Sequence, residues 1–238
     1  MHQIVVNGLV VDIVRKKIKN LHLAVYPPTG RIRVAAPLVV DDEAVRLAVI
    51  SRLSWIKRQR TKFSEQERES KREYISGESH YFQGARYRLN VIEHDGAGLV
   101  IVRNKKIIDL FARSQSTTTQ RERVILAWYR AHLRAVIPPL IAKWEEKVGV
   151  QVADCGIKQM KTKWGSSNIE ARRIWLNLEL AKKSERCLEY IVAHEIVHLL
   201  ERKHNEKFSG YMNKFMPQWR SYRDELNRAP LGHVSWDY

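Results

Sequence analysis

The sequence predicts an α+β chain, with short strands crowding its first half and helices its second. Three observations point there. From residue 1 to 36, and again from 77 to 112, apolar and polar positions alternate between Gly, Pro and Asn-Gly or Asp-Gly turns. That period of two is the mark of antiparallel strands with one buried face. From Thr117 onward the apolar positions recur at helical spacing. Hydrophobic residues make up 44% of the 238, enough for one composite domain or two small ones. The chain divides on this reading into an N-terminal antiparallel β-rich region with a helix (1–73), a small antiparallel meander (74–115) and a helical region that carries the chemistry (116–238).

The elements follow in order. Ile4-Val5-Val6 and Leu9-Val10-Val11 flank Asn7-Gly8, a strong hairpin dipeptide. Leu21, Leu23 and Val25 alternate with polar or small neighbours, Pro27, Pro28 and Gly30 turn the chain, and Ile32 and Val34 resume the alternation up to Pro37. Asp41 and Asp42 stand at the start of a helix whose apolar face (Val45, Ala48, Val49, Leu53, Ile56) runs to about Lys62. Gly77, Gly84 and Asp95-Gly96 punctuate Tyr81-Phe82, Tyr87 to Ile92, Leu99 to Val102 and Ile107 to Phe111. Thr117 to Thr119 can cap a long helix to Val148, with Gly149 ending it and Pro138-Pro139 predicting a kink or break. Gly156 to Met160 reads as extended, Lys163 to Asn168 as a loop, and Ile174 to Leu178 as a strand. Ser184 then caps a helix reaching at least Leu200, and Pro217 separates two further helical stretches, Phe208 to Phe215 and Trp219 to Leu226. No internal repeat is visible.

Composition excludes several classes. Charged residues are 29%, which rules out a disordered chain, and no apolar run reaches the roughly 18 residues of a membrane helix. Met1 to Lys19 goes from alternating to basic, the reverse of a signal peptide, so the expectation is a cytoplasmic protein with no membrane partner. Its two cysteines, Cys155 and Cys187, make neither a disulfide scaffold nor a zinc ribbon. The net charge of +16, with a pI near 10.0, attracts polyanions and makes DNA or another nucleic acid a candidate partner.

The chemistry lies in His194-Glu195-Ile196-Val197-His198. Two His at i and i+4 share a helix face and can reach one metal ion, with Glu195 near where a bound water would lie. Neutral imidazoles suit one Zn²⁺ per chain, and three protein ligands would leave a position open for water, whose proton Glu195 can take and pass on. The flanking Ile191, Val192, Leu199 and Leu200 predict a buried helix, where unpaired His and Glu would be costly. His204 is the candidate third ligand. On a continuous helix it would sit about 15 Å along the axis from His194, so the helix must end near Glu201 to Lys203 and fold back. Glu201, at i+7, is the rival ligand.

Trp164-Gly165-Ser166, Ile174, Leu176-Asn177, His194-Glu195-x-x-His198-Leu199 and His204 together resemble the YgjP-like metallopeptidases, related to the SprT and WLM zinc peptidases. Ala36-Pro37, Trp55-Ile56, Gly77 and Gly84-x-x-Tyr87-x-Leu89 extend the resemblance over nearly the whole chain. It implies a zincin-like domain with an HExxH helix, zinc on His194, His198 and His204, and a catalytic Glu195. Two positions depart from the family's usual pattern: Ser167 stands where a Cys is usual, and Asn205-Glu206 where Ser-Pro or similar follows the third His.

The leading expectation is thus a zinc-dependent peptidase acting on a protein or peptide, with DNA-associated proteins as a candidate substrate class by analogy with the SprT relatives. Trp164, Gly165, Ser166 and Asn177 are candidate substrate-binding residues, Asn177 also as a hydrogen-bond partner of a ligand His, and the Ile174 to Leu178 strand could pair with an extended peptide. Tyr211 and His233 are candidate oxyanion donors. Lys161, Lys163, Arg172 and Arg173 around Trp164 are candidate nucleic-acid contacts, with the Trp ring available for base stacking. Two alternatives remain: a nucleic-acid-binding module with structural zinc, against which three His and no Cys argue, and a hydrolase of a non-peptide amide or ester.

Overall fold

The computed structural model describes residues 2–26, 29–65, 72–160 and 163–228. They form a mixed α+β fold in two compact units, Met1–Glu67 and Arg68–Tyr238. No helix among the described residues is long and apolar enough to cross a membrane.

The first unit opens with the hairpin expected at Asn7-Gly8. Both residues take positive φ (48° and 74°), and β1 (His2–Val6) pairs antiparallel with β2 (Leu9–Lys16). A second hairpin joins β3 (His22–Tyr26) to β4 (Arg31–Pro37). The expectation of a purely antiparallel region is corrected here: β4, the return strand, lies parallel to β2, so the order is β1-β2-β4-β3. Skipping one strand position asks a connector to span only about 9.6 Å, well within reach of five residues. Alternation fixes which side chains face inward and is blind to that choice of neighbour. Val11, Ile13, Ile32 and Val34 form the inward face and meet Val45, Val49 and Ile56 of the helices. Asp41 caps α1 (Asp42–Ile50) by accepting from the Ala44 amide at 2.8 Å. The predicted single helix divides at Ser51–Arg52 into α1 and α2 (Leu53–Glu65).

The second unit begins with the same topology. β5 (Ser79–Phe82), β6 (Ala85–Glu93), β7 (Leu99–Asn104) and β8 (Ile107–Ala112) are ordered β5-β6-β8-β7, with β6 and β8 parallel. The expected antiparallel meander is therefore corrected to a second hairpin pair of the first sheet's design, a repeat carried by topology with no trace in the sequence. Nor is this sheet a body of its own. Leu89, Ile108 and Leu110 share one core with Ile125 and Tyr129 of the long helix and with residues of the third sheet, so 74–115 and 116–238 fold as one unit.

The long helix, α3 (Thr118–Val148), starts at a capping box between Thr117 and Gln120 and ends at Gly149 in the left-handed region. Of the kink or break expected at Pro138-Pro139, there is no break: the helix runs on through both prolines. Both prolines are exposed, and so are Arg134 and Ala135, whose carbonyls they leave unpaired, so water can serve those carbonyls. Buried Leu133, Ile137 and Trp144 hold the helix down on either side.

A small third sheet and three helices complete the unit. β9 (Asp154–Lys158) lies parallel to β11 (Arg173–Asn177), and β10 (Gly165–Asn168) pairs antiparallel with β11's other side. The predicted 163–168 loop is thus mostly strand, an edge strand of small polar residues whose apolar signal is too weak to read. The 3-10 turn Leu178–Lys182 leads into α4 (Glu185–Val197), which is buried almost all round, and α5 (Glu206–Phe215) and α6 (Trp219–Arg228) follow.

Candidate metal centre

α4 places His194 and His198 one turn apart, and the chain then does what the spacing of His204 demands. The helix closes at Val197, followed by one more turn in which Leu200 and Glu201 donate to the Val197 carbonyl. No glycine assists the reversal. The Glu201 carboxylate instead accepts from the Lys203 amide at 3.0 Å, and Asn205 caps α5 by accepting from the Phe208 amide at 3.0 Å. His204 is carried back, and Glu201, engaged with the backbone, is not in the cluster of ligand atoms. The cap also gives Asn205, one of the two departures from the family pattern, a structural role.

The Nε2 atoms of the three rings converge, with His198 at 3.2 Å from His194 and 3.0 Å from His204, and His204 at 2.9 Å from His194. They cannot satisfy one another. A ring nitrogen holds either a proton or a lone pair, so at most two of the three edges can be hydrogen bonds. His198 donates from Nδ1 to the Glu201 carbonyl (2.9 Å), which fixes its tautomer and leaves a lone pair on Nε2. If the other two rings donated to it, their own N–H groups would face each other at 2.9 Å. A cation shared by three lone pairs removes the conflict, and these separations approach the roughly 3.3 Å between tetrahedral ligands at ~2.0–2.1 Å from zinc. Burial first, then the charges of His198 and His204, push His194 down to about 3, so it is neutral at physiological pH as a ligand must be. Burial lowers His198 too.

Phe208 forms the floor. It is buried on α5, with its ring centroid 4.9 Å from those of His194 and His204 and 4.6 Å from that of His198. The sequence reading missed it: His204 lies before the Asn205 cap of α5, so no helical spacing links it to Phe208.

Glu195 is buried beside the triad, and its environment is built by β10. Gly165 and Ser167 share the inward face of that strand with Ile174 and Leu176 of β11. A Cβ on Gly165 would fall 2.5 Å from Glu195 Oε1 and 2.7 Å from its Cγ, so only glycine lets the carboxylate lie against the strand. Burial pushes Glu195 up to about 7, against the hydrogen bond from the Ser167 hydroxyl and the charge of Lys163. Ser167, where the usual thiol is missing, thus touches the acid directly.

These groups open on one cleft of about 760 Å³. Trp164 to Asn168 form one wall, His194, Glu195, His198 and His204 the floor, and Arg223, Leu226 and Asn227 of α6 the other wall. Trp164, Gly165 and Ser166 therefore line it as the sequence reading proposed. Asn177 does not. Its amide donates to the Met160 carbonyl (2.9 Å) and the Lys163 carbonyl (2.8 Å), and its Oδ1 accepts from the Met160 and Glu179 amides, so it fastens the approach to β10 with no valence left for a ligand His. The strand expected to receive a peptide, β11, has both edges occupied; the edge strands are β10 and β9, and of these β10 lines the cleft. Tyr211 stacks on Phe215 outside the cleft lining, and His233 lies outside the described residues. Of the four candidate nucleic-acid contacts, three are among the described residues. Lys163 lines the cleft, Arg172 lines a separate cavity with Glu145 and Glu146, Arg173 pairs with Asp154 at 2.8 Å, and Lys161 lies outside the described residues.

Three converging imidazoles that could hold a metal ion, with a buried carboxylate beside them on a cleft of about 760 Å³, fit a metal-dependent hydrolase. The match to known families has the same sense: residues 19–229 fit the model of the YgjP-like, metallopeptidase domain, and the chain belongs to that family. Among solved structures it is similar to the metallopeptidase zymogen of Pyrococcus abyssi abylysin, at 20% identity over 38% of this chain and 91% of that one, TM-score 0.36. It is also similar to the zymogen of Methanocaldococcus jannaschii jannalysin, at 20% identity over 38% and 92%, TM-score 0.34. No curated protein matches.

Proposed function

We propose that this metallopeptidase is a zinc enzyme that hydrolyses peptide bonds in the cleft over the three imidazoles, with His194, His198 and His204 as ligands and Glu195 as general base. The observation that carries the reading is the convergence of three Nε2 atoms beside a buried carboxylate. When bound, zinc supplies a Lewis acid that polarises a carbonyl and lowers the pKa of water toward about 7. The protein's own groups do the rest. Glu195, held by Ser167 and shaped by Gly165, takes the proton of the attacking water and carries it to the leaving amine. β10 offers the unpaired backbone of an edge strand along the cleft wall, where an extended peptide can add as a further strand. Trp164, packed against the core and open to the cleft, gives that wall an apolar face. The domain is of the zincin-like, HExxH type on this reading. Nucleic-acid association is not part of this reading, which rests on the three imidazoles and the buried carboxylate.

The test is Glu195→Gln. It should keep metal and fold while losing hydrolysis by about a hundredfold or more, the scale of a lost general base. Full activity in that variant on a verified substrate would overturn the mechanism.

A further inference from the structure

The cleft continues past the metal site toward α6, where Tyr190 and Arg223 line it. Tyr190 precedes His194 by one turn of α4, so its ring lies on the same face, with centroids 5.7 Å apart. The residue is only 4% exposed, yet its hydroxyl makes no hydrogen bond to another described residue. Nor is that oxygen one of the fully enclosed polar atoms without a partner, which are Glu179 Oε2 and His194 Nδ1 among the described residues. It therefore opens on the cleft, as a donor waiting for an acceptor.

Arg223 is held beside it. Trp219 stacks on Tyr190 (6.5 Å, 14° between planes), is fixed by its own indole N–H donating to Asn213 at 2.9 Å, and carries the Arg223 guanidinium 5.0 Å from its ring centre. Among the described residues, the only carboxylate bonded to Arg223 is its chain neighbour Asp224, which accepts from Nε and Nη2 on a single oxygen at 3.2 Å. That pair is about half exposed and weak, and Nη1 has no acceptor among the described residues. Beyond the burial that raises the Tyr190 phenol to about 12, the charge of Arg223 pulls it down and those of Glu195 and Asp224 push it up, so the hydroxyl lies within electrostatic reach of the catalytic carboxylate and of the guanidinium. The other charges lining the cleft are Lys163, Arg202 and Glu170. With Glu195 committed to proton transfer, the cleft has a cationic balance.

The geometry points to Arg223 and the Tyr190 hydroxyl as a carboxylate-binding subsite at the α6 end of the cleft, selecting peptides with an acidic group there. A guanidinium with a free Nη1 and an adjacent O–H donor suit the two oxygens of one carboxylate. That carboxylate can come from an Asp or Glu side chain or from the free C-terminus of the peptide. The inference rests on the peptidase reading for its substrate class.

The test measures binding without turnover, on full-chain, zinc-loaded protein carrying Glu195→Gln. Three fluorescent peptide mixtures of equal length are titrated in 0.3 M salt: one without acidic residues and amidated at the C-terminus, one with a single Asp or Glu and amidated, and one without acidic residues but with a free C-terminus. One of the two carboxylate mixtures should bind at least tenfold more tightly than the neutral one, and which of them does so identifies the source. Arg223→Gln should reduce that ratio below twofold, Arg223→Glu should invert it, and Tyr190→Phe, which removes only a hydroxyl, should lower it about threefold. Arg228→Gln, an equal charge loss at the far end of the same helix and away from the cleft lining, should leave it unchanged. A ratio below twofold before any change at Arg223, or one that survives both Arg223 variants, would overturn the subsite. Selectivity in a protein whose wild type cleaves nothing would sink the peptidase reading and leave the subsite standing, and cleavage without selectivity would do the reverse.

Discussion

Replacing Gly165 by alanine adds one methyl group where the structure has no room for it. The new Cβ would sit 2.5, 2.7 and 2.9 Å from Oε1, Cγ and Cδ of Glu195, whereas non-bonded carbons rest at about 3.5–4.0 Å. Either β10 or the carboxylate must move by about 1 Å. The carboxylate is the freer of the two, since β10 is hydrogen-bonded to β11 along its length and Glu195 is held only at its tip. A displacement of that size at a reacting group costs about a hundredfold in rate. The overpacking itself should cost about 1–3 kcal/mol of stability. Gly165→Ala should therefore fold, bind metal at wild-type stoichiometry and lose about two orders of magnitude in kcat on a peptide that the wild type cleaves. A double-mutant cycle then isolates the route. If the methyl acts through Glu195, adding Gly165→Ala to Glu195→Gln should cost little more. A fully active Gly165→Ala, or losses that multiply in the double variant, would refute the reasoning.

Other predictions rest on separate parts of the structure. His198→Ala and His204→Ala should each abolish tight metal binding, while Glu201→Ala should leave metal content unchanged, and metal analysis of the three proteins separates the two candidate third ligands. Phe208→Ala removes a ring packed on all three imidazoles and should destabilise the protein by about 3–5 kcal/mol in urea unfolding; a loss under about 1 kcal/mol would contradict its place as the floor. His80 is buried, and burial lowers its pKa despite the hydrogen bond with Glu78. The folded state thus takes its proton later than the unfolded state does, and stability should fall as pH drops below about 6.5. His80→Asn should flatten that slope of stability against pH, and an unchanged slope would count against it.

How much of this was legible beforehand follows from what each pattern encodes. Hairpins and caps are local, so Asn7-Gly8, Asp41 and the Thr117–Gln120 box could be read from a few residues each. Strand neighbours are not local. The same alternation serves β1-β2-β4-β3 or a simple meander, so both parallel pairings were missed. β10 was missed because Gly165-Ser166-Ser167-Asn168 has no apolar side chain to signal a strand, although its pairing with β11 creates the wall against Glu195. In the candidate site, helical spacing was enough to bring His194 and His198 together, and the return of His204 followed from asking where a third ligand could come from. Gly165 was singled out as a candidate substrate-binding residue, but the group that lies against it, Glu195, is visible only in three dimensions. Tyr190 was within reach of the same spacing argument, since it stands at i−4 from His194, yet nothing in the sequence says that its hydroxyl goes unpaired. Asn177 was misjudged for a general reason: a buried amide is as readily consumed by neighbouring backbone as by a ligand, and spacing does not tell which.

The most direct test of the account is the metal itself. Protein purified without added metal, or reconstituted and dialysed, should contain one zinc per chain by elemental analysis. Its X-ray absorption should report three imidazole nitrogens at about 2.0–2.1 Å and one oxygen ligand completing the shell. Less than about a tenth of an equivalent with no uptake on adding zinc, or a first shell with only two imidazoles, would contradict a centre built from His194, His198 and His204.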